Sequence, residues 1–251
     1  MRLVRVAALY DIHGNVPALE AVLGEPDVAA ADLVVVGGDV VAGPMPAETL
    51  RLLDALGERI RWVRGNTDRE VVAGLEADPG AGGLWDRRAA WVARQIEPAL
   101  AAIAAWPPTV SIEVDGLGPV LFCHGSPRSD EEIITRISPP ERIAPMLEGV
   151  EEPTVVGGHT HVQFDRRVGE RRVVNAGAVG MAYEDSPGAR WCLLGPGVEL
   201  RTSAYDVSAA AERIRATGFP DPDEFAQNVV RPESPEEASR VFEEMASGFE
   251  E

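Results

Sequence analysis

The sequence predicts an α/β protein in which two β-sheets pack together within one domain. Three observations carry this. Residues 4–63 alternate short apolar runs with helical patterns, and each of those runs stops at Gly with Asp or Asn. After Pro107-Pro108 the pattern changes to paired strands joined by tight turns. At 251 residues the chain can be one large domain or two small ones, and it is long enough to bury a sizeable core.

The first run lies within residues 4–15, Val-Arg-Val-Ala-Ala-Leu-Tyr-Asp-Ile-His-Gly-Asn. Its continuous apolar stretch reads as a strand buried on both faces. Asp11 and His13 follow it, two apart, so in extended backbone they point the same way just beyond the strand. Asn15 is the expected N-cap of a helix over 17–23, with Pro17 in its first turn. Residues 33–36 form a second buried strand that stops at Gly37-Gly38-Asp39. A helix over 46–56, closed by Gly57, leads to a strand at 60–63 that runs into Gly65-Asn66-Thr67-Asp68. This alternation implies a parallel sheet with right-handed connections.

Residues 85–105 have helical spacing, which Pro98 splits or kinks. Strands at 109–114 and 119–122 flank Asp115-Gly116 as a hairpin and lead into Cys123-His124-Gly125. A short strand at 154–156 ends in Gly157-Gly158-His159-Thr160-His161. Residues 164–168 and 171–174 form a hairpin around Gly169-Glu170, and 190–194 and 198–204 are the last strands. The second half is therefore antiparallel or mixed. Asp206 caps a helix over 207–216 that Gly218 closes, and Pro220-Asp221-Pro222-Asp223 reads as a linker. Ser234 and Glu237 form a capping box with Pro235 at the first helical position. Beyond it Ala238, Val241, Phe242 and Met245 share one face, so this helix docks on the body or on a partner. The expected division is a domain over residues 1–218 and an acidic C-terminal extension with an amphipathic helix over 219–251.

Charge narrows the functional classes. The 23 basic residues are all Arg and face 41 acids, a net charge of −18. Residues 221–251 hold ten acids and two arginines, so −8 of it lies in the tail. Such a surface repels polyanions and argues against non-specific binding to nucleic acid or anionic membranes. No apolar stretch approaches a membrane span, and the run starting at Leu3 is too short for a signal peptide, so the expected location is cytoplasmic. Cys123 and Cys192 lie in apolar runs without metal-ligand spacing and read as buried free thiols. The 85–105 segment and the antiparallel half are candidates for a cap or a homo-oligomer interface.

The strand ends collect Asp11, His13, Asp39, Asn66, His124, His159 and His161. All four histidines of the chain fall in this set. Carboxylate and imidazole with one amide and no thiolate suit Mn, Fe, Zn, Co or Ni. Seven ligands exceed what one ion takes, so two divalent ions sharing a carboxylate is the economical count. Two ions about 3.5–4 Å apart hold a hydroxide between them and clamp both oxygens of an in-line displacement. Two dications, two carboxylates and one hydroxide leave a net charge of about +1, which attracts a phosphate despite the acidic body.

The ordered set Asp11-Ile12-His13, Gly38-Asp39, Gly65-Asn66-Thr67-Asp68, Cys123-His124-Gly125 and Gly158-His159-Thr160-His161 resembles the calcineurin-like metallophosphoesterases. Residues 175–180 (Asn-Ala-Gly-Ala-Val-Gly) and Tyr205-Asp206-Val207 are similar to segments of the smaller bacterial phosphodiesterase branch. The resemblance covers nearly the whole chain. It implies a four-layer α/β/β/α sandwich of two mixed sheets with the metals at its rim. By it, one metal takes Asp11, His13, Asp39 and His161, the other takes Asp39, Asn66, His124 and His159, and Asp39 is the bridge. The implied cofactor is a pair of divalent ions, Mn first, and the implied catalytic residues are Asp39, Asn66 and His124. The implied reaction is hydrolysis of a small-molecule phosphate ester by a metal-bridging hydroxide.

Two departures bear on the substrate. Many relatives have His after the Asn of the third motif, where this chain has Thr67, and Thr supplies no imidazolium proton to a leaving group. The usual Arg after the second motif is absent, since Gly43-Pro44 follows Val40-Val41-Ala42. The first favours diesters or activated esters; the alternatives are a phosphatase for monoesters, phosphoproteins or dinucleotide polyphosphates, and a non-catalytic metal-binding scaffold. Arg69 and Arg128 are candidate phosphate contacts, although on this acidic surface each is as readily paired with a neighbouring acid. Thr67 lines the site, and Asn15 and Asp68 are candidates for holding the ligands in place.

Overall fold

The computed structural model describes residues 4–76 and 82–248. Residues 1–3, 77–81 and 249–251 lie outside them, and with them Leu3 and the last two acids of the tail.

Ten strands form two five-stranded sheets. The first half contributes β1 (Val6–Leu9), β2 (Leu33–Gly37) and β3 (Ile60–Val63), paired in parallel as the sequence predicts. Two late strands, β9 and β10, in chain order after β4 to β8, extend this sheet antiparallel on the other side of β1. They span Ala189–Leu194 and Val198–Ser203, and the first sheet has the order β10-β9-β1-β2-β3. The second sheet is built from β4 (Thr109–Val114), β5 (Gly118–Cys123), β6 (Thr154–Gly157), β7 (Phe164–Val168) and β8 (Arg171–Asn175), in the order β4-β5-β6-β8-β7. Its centre, β5-β6-β8, is parallel, and hairpins close both edges.

Alternation along the strands sets the layers. Ala7 and Leu9 of β1, with Val34 and Val36 of β2, pack under helices α1 (Val16–Leu23), α2 (Pro26–Ala30) and α3 (Pro46–Asp54). Val6, Ala8, Tyr10 and Val35 face the other way and meet Val120, Phe122, Val156 and Val174 of the second sheet. The far face of that sheet, through Val155 and Val173, is covered by Ile143, Met146 and Leu147 around α7 (Pro140–Ile143), which follows α4 to α6 in the chain. Helix, sheet, sheet and helix therefore make four layers, and side chains of period two serve both sides of each sheet.

Helix α4 (Asn66–Gly74) starts inside the segment read from sequence as a strand-end loop. The Asp68 carboxylate turns back to accept from the Gly65 N–H at 3.1 Å, which satisfies a free donor at the helix start. The 85–105 pattern divides at Pro98 into α5 (Leu84–Gln95), a 3₁₀ turn at Glu97–Ala99 and α6 (Leu100–Ala104). Asp206 caps α8 (Val207–Arg215), its carboxylate accepting from the Ala209 N–H at 2.9 Å.

The stretch read as a linker is a helix start, because Pro222 occupies the first position of α9 (Pro222–Val230). Phe219 joins the main core, edge-on to Trp91 at 5.5 Å, while Phe225, Ala226 and Val229 pack with Val16, Met45, Ala210 and Ile214. The packed body thus continues past residue 218. Helix α10 (Pro235–Gly248) follows, with the Ser234 hydroxyl accepting from the Glu237 N–H at 3.2 Å. The Glu237 carboxylate pairs with Arg240. Ala238 is buried, but Val241 and Met245 are 42% and 49% exposed, so the docked face is rotated from the one the spacing suggests. Among the described residues no helix is long and apolar enough to cross a membrane.

Buried polar contacts also tie the sheets, among them the Tyr10 hydroxyl donating to the Val156 carbonyl at 3.0 Å. Replacing Tyr10 with Phe leaves the ring in place and removes that donor. The expected loss is about 1–2 kcal/mol in urea unfolding, and an unchanged midpoint would show that this hydrogen bond adds nothing to the apolar packing between the sheets.

Candidate metal centre

The parallel strands deliver their C-terminal ends to one edge. Asp11 and His13 follow β1, Asp39 follows β2, Asn66 follows β3, His124 follows β5, and His159 and His161 follow β6. This is the edge where α/β sheets carry their ligands. Pairing outlasts the strands here: the N–H groups of Asp11, His13 and Gly14 donate to the carbonyls of Gly38, Asp39 and Val40 at 3.1, 2.9 and 3.0 Å. The first two motifs are thereby fixed side by side.

The side chains converge in two groups. Donor atoms of Asp11, His13 and His161 lie within 4.8 Å of one another, as do those of Asp39, His124 and His159. Asp39 faces both groups. Its Oδ2 is 3.7 Å from His13 Nε2 and its Oδ1 is 3.4 Å from His124 Nε2. Asp11 Oδ1 sits 3.4 Å from His161 Nε2 and 3.9 Å from His124 Nε2. Asn66 opens α4 beside Thr67, whose N–H donates to Asp39 Oδ1 at 3.0 Å.

Backbone carbonyls choose which nitrogen three of the four imidazoles offer. His13 Nδ1 lies 3.2 Å from the Ala42 carbonyl, His124 Nδ1 3.0 Å from that of Gly37, and His161 Nδ1 2.7 Å from that of Met181. A carbonyl only accepts, so these Nδ1 atoms carry the proton and Nε2 is left with its lone pair toward the centre. Five of these strand-end residues, Asp11, His13, Asp39, His159 and His161, have φ between 45° and 68°. This left-handed backbone is unfavourable for residues with a Cβ and clusters at functional sites.

The motif glycines allow close approach. A Cβ at Gly65 would stand 2.1 Å from Asp39 Oδ1, and one at Gly158 would stand 2.5 Å from Asp11 Oδ2. Either would collide with a ligand carboxylate.

Asp39 titrates below the usual carboxylate range, because the surrounding His124, His13 and His159 outweigh the burial that opposes its charge. Burial disfavours charge on His124 too, yet Asp39 and Asp11 push it up to about 10. Burial and the neighbouring His124 bring His159 down to about 4. Two buried carboxylates thus demand positive charge at the centre, which protonated His124 supplies in part without metal and which divalent cations would supply with the imidazoles neutral. The Asn66 Oδ1 atom, buried and without a hydrogen-bond partner, adds a free acceptor. The residues therefore fit a pair of divalent ions, one in each group.

Neighbouring residues divide by role. Asp68 accepts from three backbone N–H groups, Val40 at 2.9 Å, Val41 at 3.2 Å and Gly65 at 3.1 Å, binding the Asp39 loop to the Asn66 loop. Asn15 caps α1, its Oδ1 accepting from the Ala18 N–H at 3.3 Å, and its Nδ2 donates to the Gly180 carbonyl at 2.8 Å. That second bond anchors the segment whose Met181 carbonyl holds His161. Thr67 is buried with its hydroxyl unpartnered. The two arginines are placed differently: Arg69 is ion-paired to Asp130 and Glu131 at 3.1 and 2.6 Å, and Arg128 to Glu132 at 2.5 Å. On so acidic a surface their nearest anions are carboxylates of the chain itself. Cys123 and Cys192 are free and buried, their thiols pushed up to about 12 by burial.

Two aromatic residues beside the centre are not marked for it by the sequence, although Phe242 lies on the apolar face expected to dock. Tyr183 stacks on His161 with ring centroids 5.0 Å apart and planes 18° apart, and the Phe242 ring of α10 lies 6.3 Å from both His159 and Tyr183. Neither belongs to a strand-end motif. The Asp68 contacts give a test that leaves every ligand in place: Asp68→Asn weakens metal binding about 10–100-fold, read by chelator competition. Unchanged affinity would assign Asp68 to helix capping alone.

The model of the calcineurin-like phosphoesterase superfamily domain matches residues 4–194, a span that holds all seven strand-end residues. Among solved structures, a metallophosphoesterase from Sphaerobacter thermophilus is 25% identical, with a TM-score of 0.74 over 91% of this chain and 98% of its own. A hypothetical protein from Pyrococcus horikoshii OT3 shares the fold at 19% identity, with a TM-score of 0.76 over 92% of this chain and all of its own. No curated protein matches the sequence. With one family model spanning the strand-end motifs, and a two-sheet sandwich that gathers them at one edge, the chain belongs to the calcineurin-like phosphoesterase superfamily.

Proposed function

We propose that this protein is a dinuclear metal-dependent phosphoesterase that prefers phosphodiesters, with Mn²⁺ the first ion to test. The observation that carries the reading is Asp39, one oxygen turned to each histidine group. Such a metal pair supplies a water acidic enough to attack phosphorus near neutral pH and offsets the charge that develops on the phosphoryl oxygens. The protein's part is to hold seven donors rigidly through strand pairing, the Asp68 contacts and the histidine–carbonyl bonds. A cytoplasmic setting fits its two buried unpaired thiols.

The diester preference rests on what surrounds the centre. Arg69 and Arg128 are held by carboxylates, and the chain has no Lys, so neither candidate arginine is free to add to the metal charge that would meet the substrate's phosphate. A diester with one negative charge needs less compensation than a monoester dianion. Thr67 offers a buried, unpartnered hydroxyl that donates to a phosphoryl oxygen, but it supplies no acid for a poor leaving group.

Metal-stripped protein given back Mn²⁺ is expected to cleave bis(p-nitrophenyl) phosphate well above p-nitrophenyl phosphate, with Asp39→Asn inactive on both. A faster monoester rate would put the phosphatase reading first. Thr67→His is expected to speed esters with alkyl leaving groups about tenfold or more while barely changing p-nitrophenyl esters. Equal effects on both classes would sink the leaving-group argument.

A further inference from the structure

Five of the proposed ligands, Asp11, His13, Asp39, His124 and His161, are at most 6% exposed, so in this conformation the centre is roofed. The aromatic part of the roof is Tyr183 on His161 and Phe242 against both His159 and Tyr183. Phe242 therefore lies across a histidine from one donor group and the ring that covers a histidine of the other. It is delivered by α10, the last described element of the chain.

Helix α10 is held mainly by polar contacts. The residues it buries are small, Pro235, Ala238, Ser239 and Ala246, while Val241 and Met245 stand in solvent. Its anchor is Glu243, whose Oε1 accepts from Thr135 Oγ1 at 2.7 Å, Ser138 Oγ at 2.5 Å and Arg142 Nη2 at 2.5 Å. Thr135 and Ser138 are fully buried, and each hydroxyl oxygen accepts from the other residue's backbone N–H, at 3.1 and 2.8 Å, so Glu243 enters a preformed cradle. A second ion pair joins Glu236 to Arg136. Beside the helix end, a cavity of about 710 Å³ separates Ala246 from Ile133, Pro145 and Met146. The preceding α9 is packed by Phe225, Ala226 and Val229, which leaves residues 231–234 as the hinge.

We propose that α10 is a lid over the metal centre, latched shut by Glu243 in the Thr135–Ser138–Arg142 cradle, and that Phe242 sets the size of the ester that enters. The selection of esters rests on the phosphoesterase reading; the closure does not. Neither Phe242 nor Glu243 is a metal ligand. Each acts by covering or releasing residues that are.

Because all four histidines belong to the centre, diethyl pyrocarbonate modification of the metal-free protein, followed by absorbance, reports directly on the lid. Phe242→Ala and Glu243→Gln are expected to speed modification about tenfold over wild type, and Val241→Ala, on the solvent face, to leave it unchanged. Buried Cys123 and Cys192 provide the folding control: they must stay unreactive to a thiol reagent in every variant compared. Equal histidine rates in wild type and folded Glu243→Gln overturn the lid. With Mn²⁺ restored, Phe242→Ala is expected to raise kcat/KM for bis(p-nitrophenyl) phosphate several-fold relative to p-nitrophenyl phosphate. Faster modification with an unchanged ratio overturns the size selection. Faster modification in a protein that cleaves neither ester supports the lid and removes the phosphoesterase reading instead.

Discussion

Asp39 is the residue on which the centre closes. Its two carboxylate oxygens face different histidine groups, one brought largely by the first sheet and the other by the second. A carboxylate that faces both groups tolerates little displacement, because moving toward one means leaving the other. Most of the nearby architecture restrains it: its carbonyl accepts from the His13 N–H, its Oδ1 from the Thr67 N–H, and Asp68 grips the following residues Val40 and Val41. A side chain at Gly65 would occupy the same space.

The same demand explains the backbone. Left-handed φ at a non-glycine residue costs on the order of 1–3 kcal/mol, and five of the strand-end residues adopt it. They are held there by pairing that continues beyond β1 and β2, by the His159 N–H donating to Asp11 Oδ2 at 3.0 Å, and by the two-sheet core beneath. Stability from the packed layers is thus spent on donor geometry at one rim. The surface follows a different logic: with a net charge of −18, exposed arginines find carboxylates of the chain before they find a substrate.

The strand-end residues were legible in the sequence because each follows an apolar run that stops at a turn, and because the only four histidines all stand there. The four-layer sandwich was legible through resemblance, and the doubly buried strands through their unbroken apolar runs. What escaped was set by tertiary contact. Nothing local tells β9 and β10 to join the first sheet rather than the second. Pro222 reads equally as a linker residue and as the first residue of α9. The spacing of Ala238, Val241, Phe242 and Met245 marks an apolar face, but the Glu243 cradle rotates the helix so that Val241 and Met245 face water. Arg69 and Arg128 could be given partners only once the 130–132 carboxylates were placed beside them.

The central claim is that one carboxylate joins two metal ions. Low-temperature electron paramagnetic resonance of protein loaded with two Mn²⁺ per chain tests it most directly, since ions about 3.5–4 Å apart with a shared ligand interact magnetically. The account predicts the multiline spectrum of a coupled pair in wild type and its loss in Asp39→Asn. Two equivalents of tightly bound Mn²⁺ that give only the spectrum of isolated ions would contradict it.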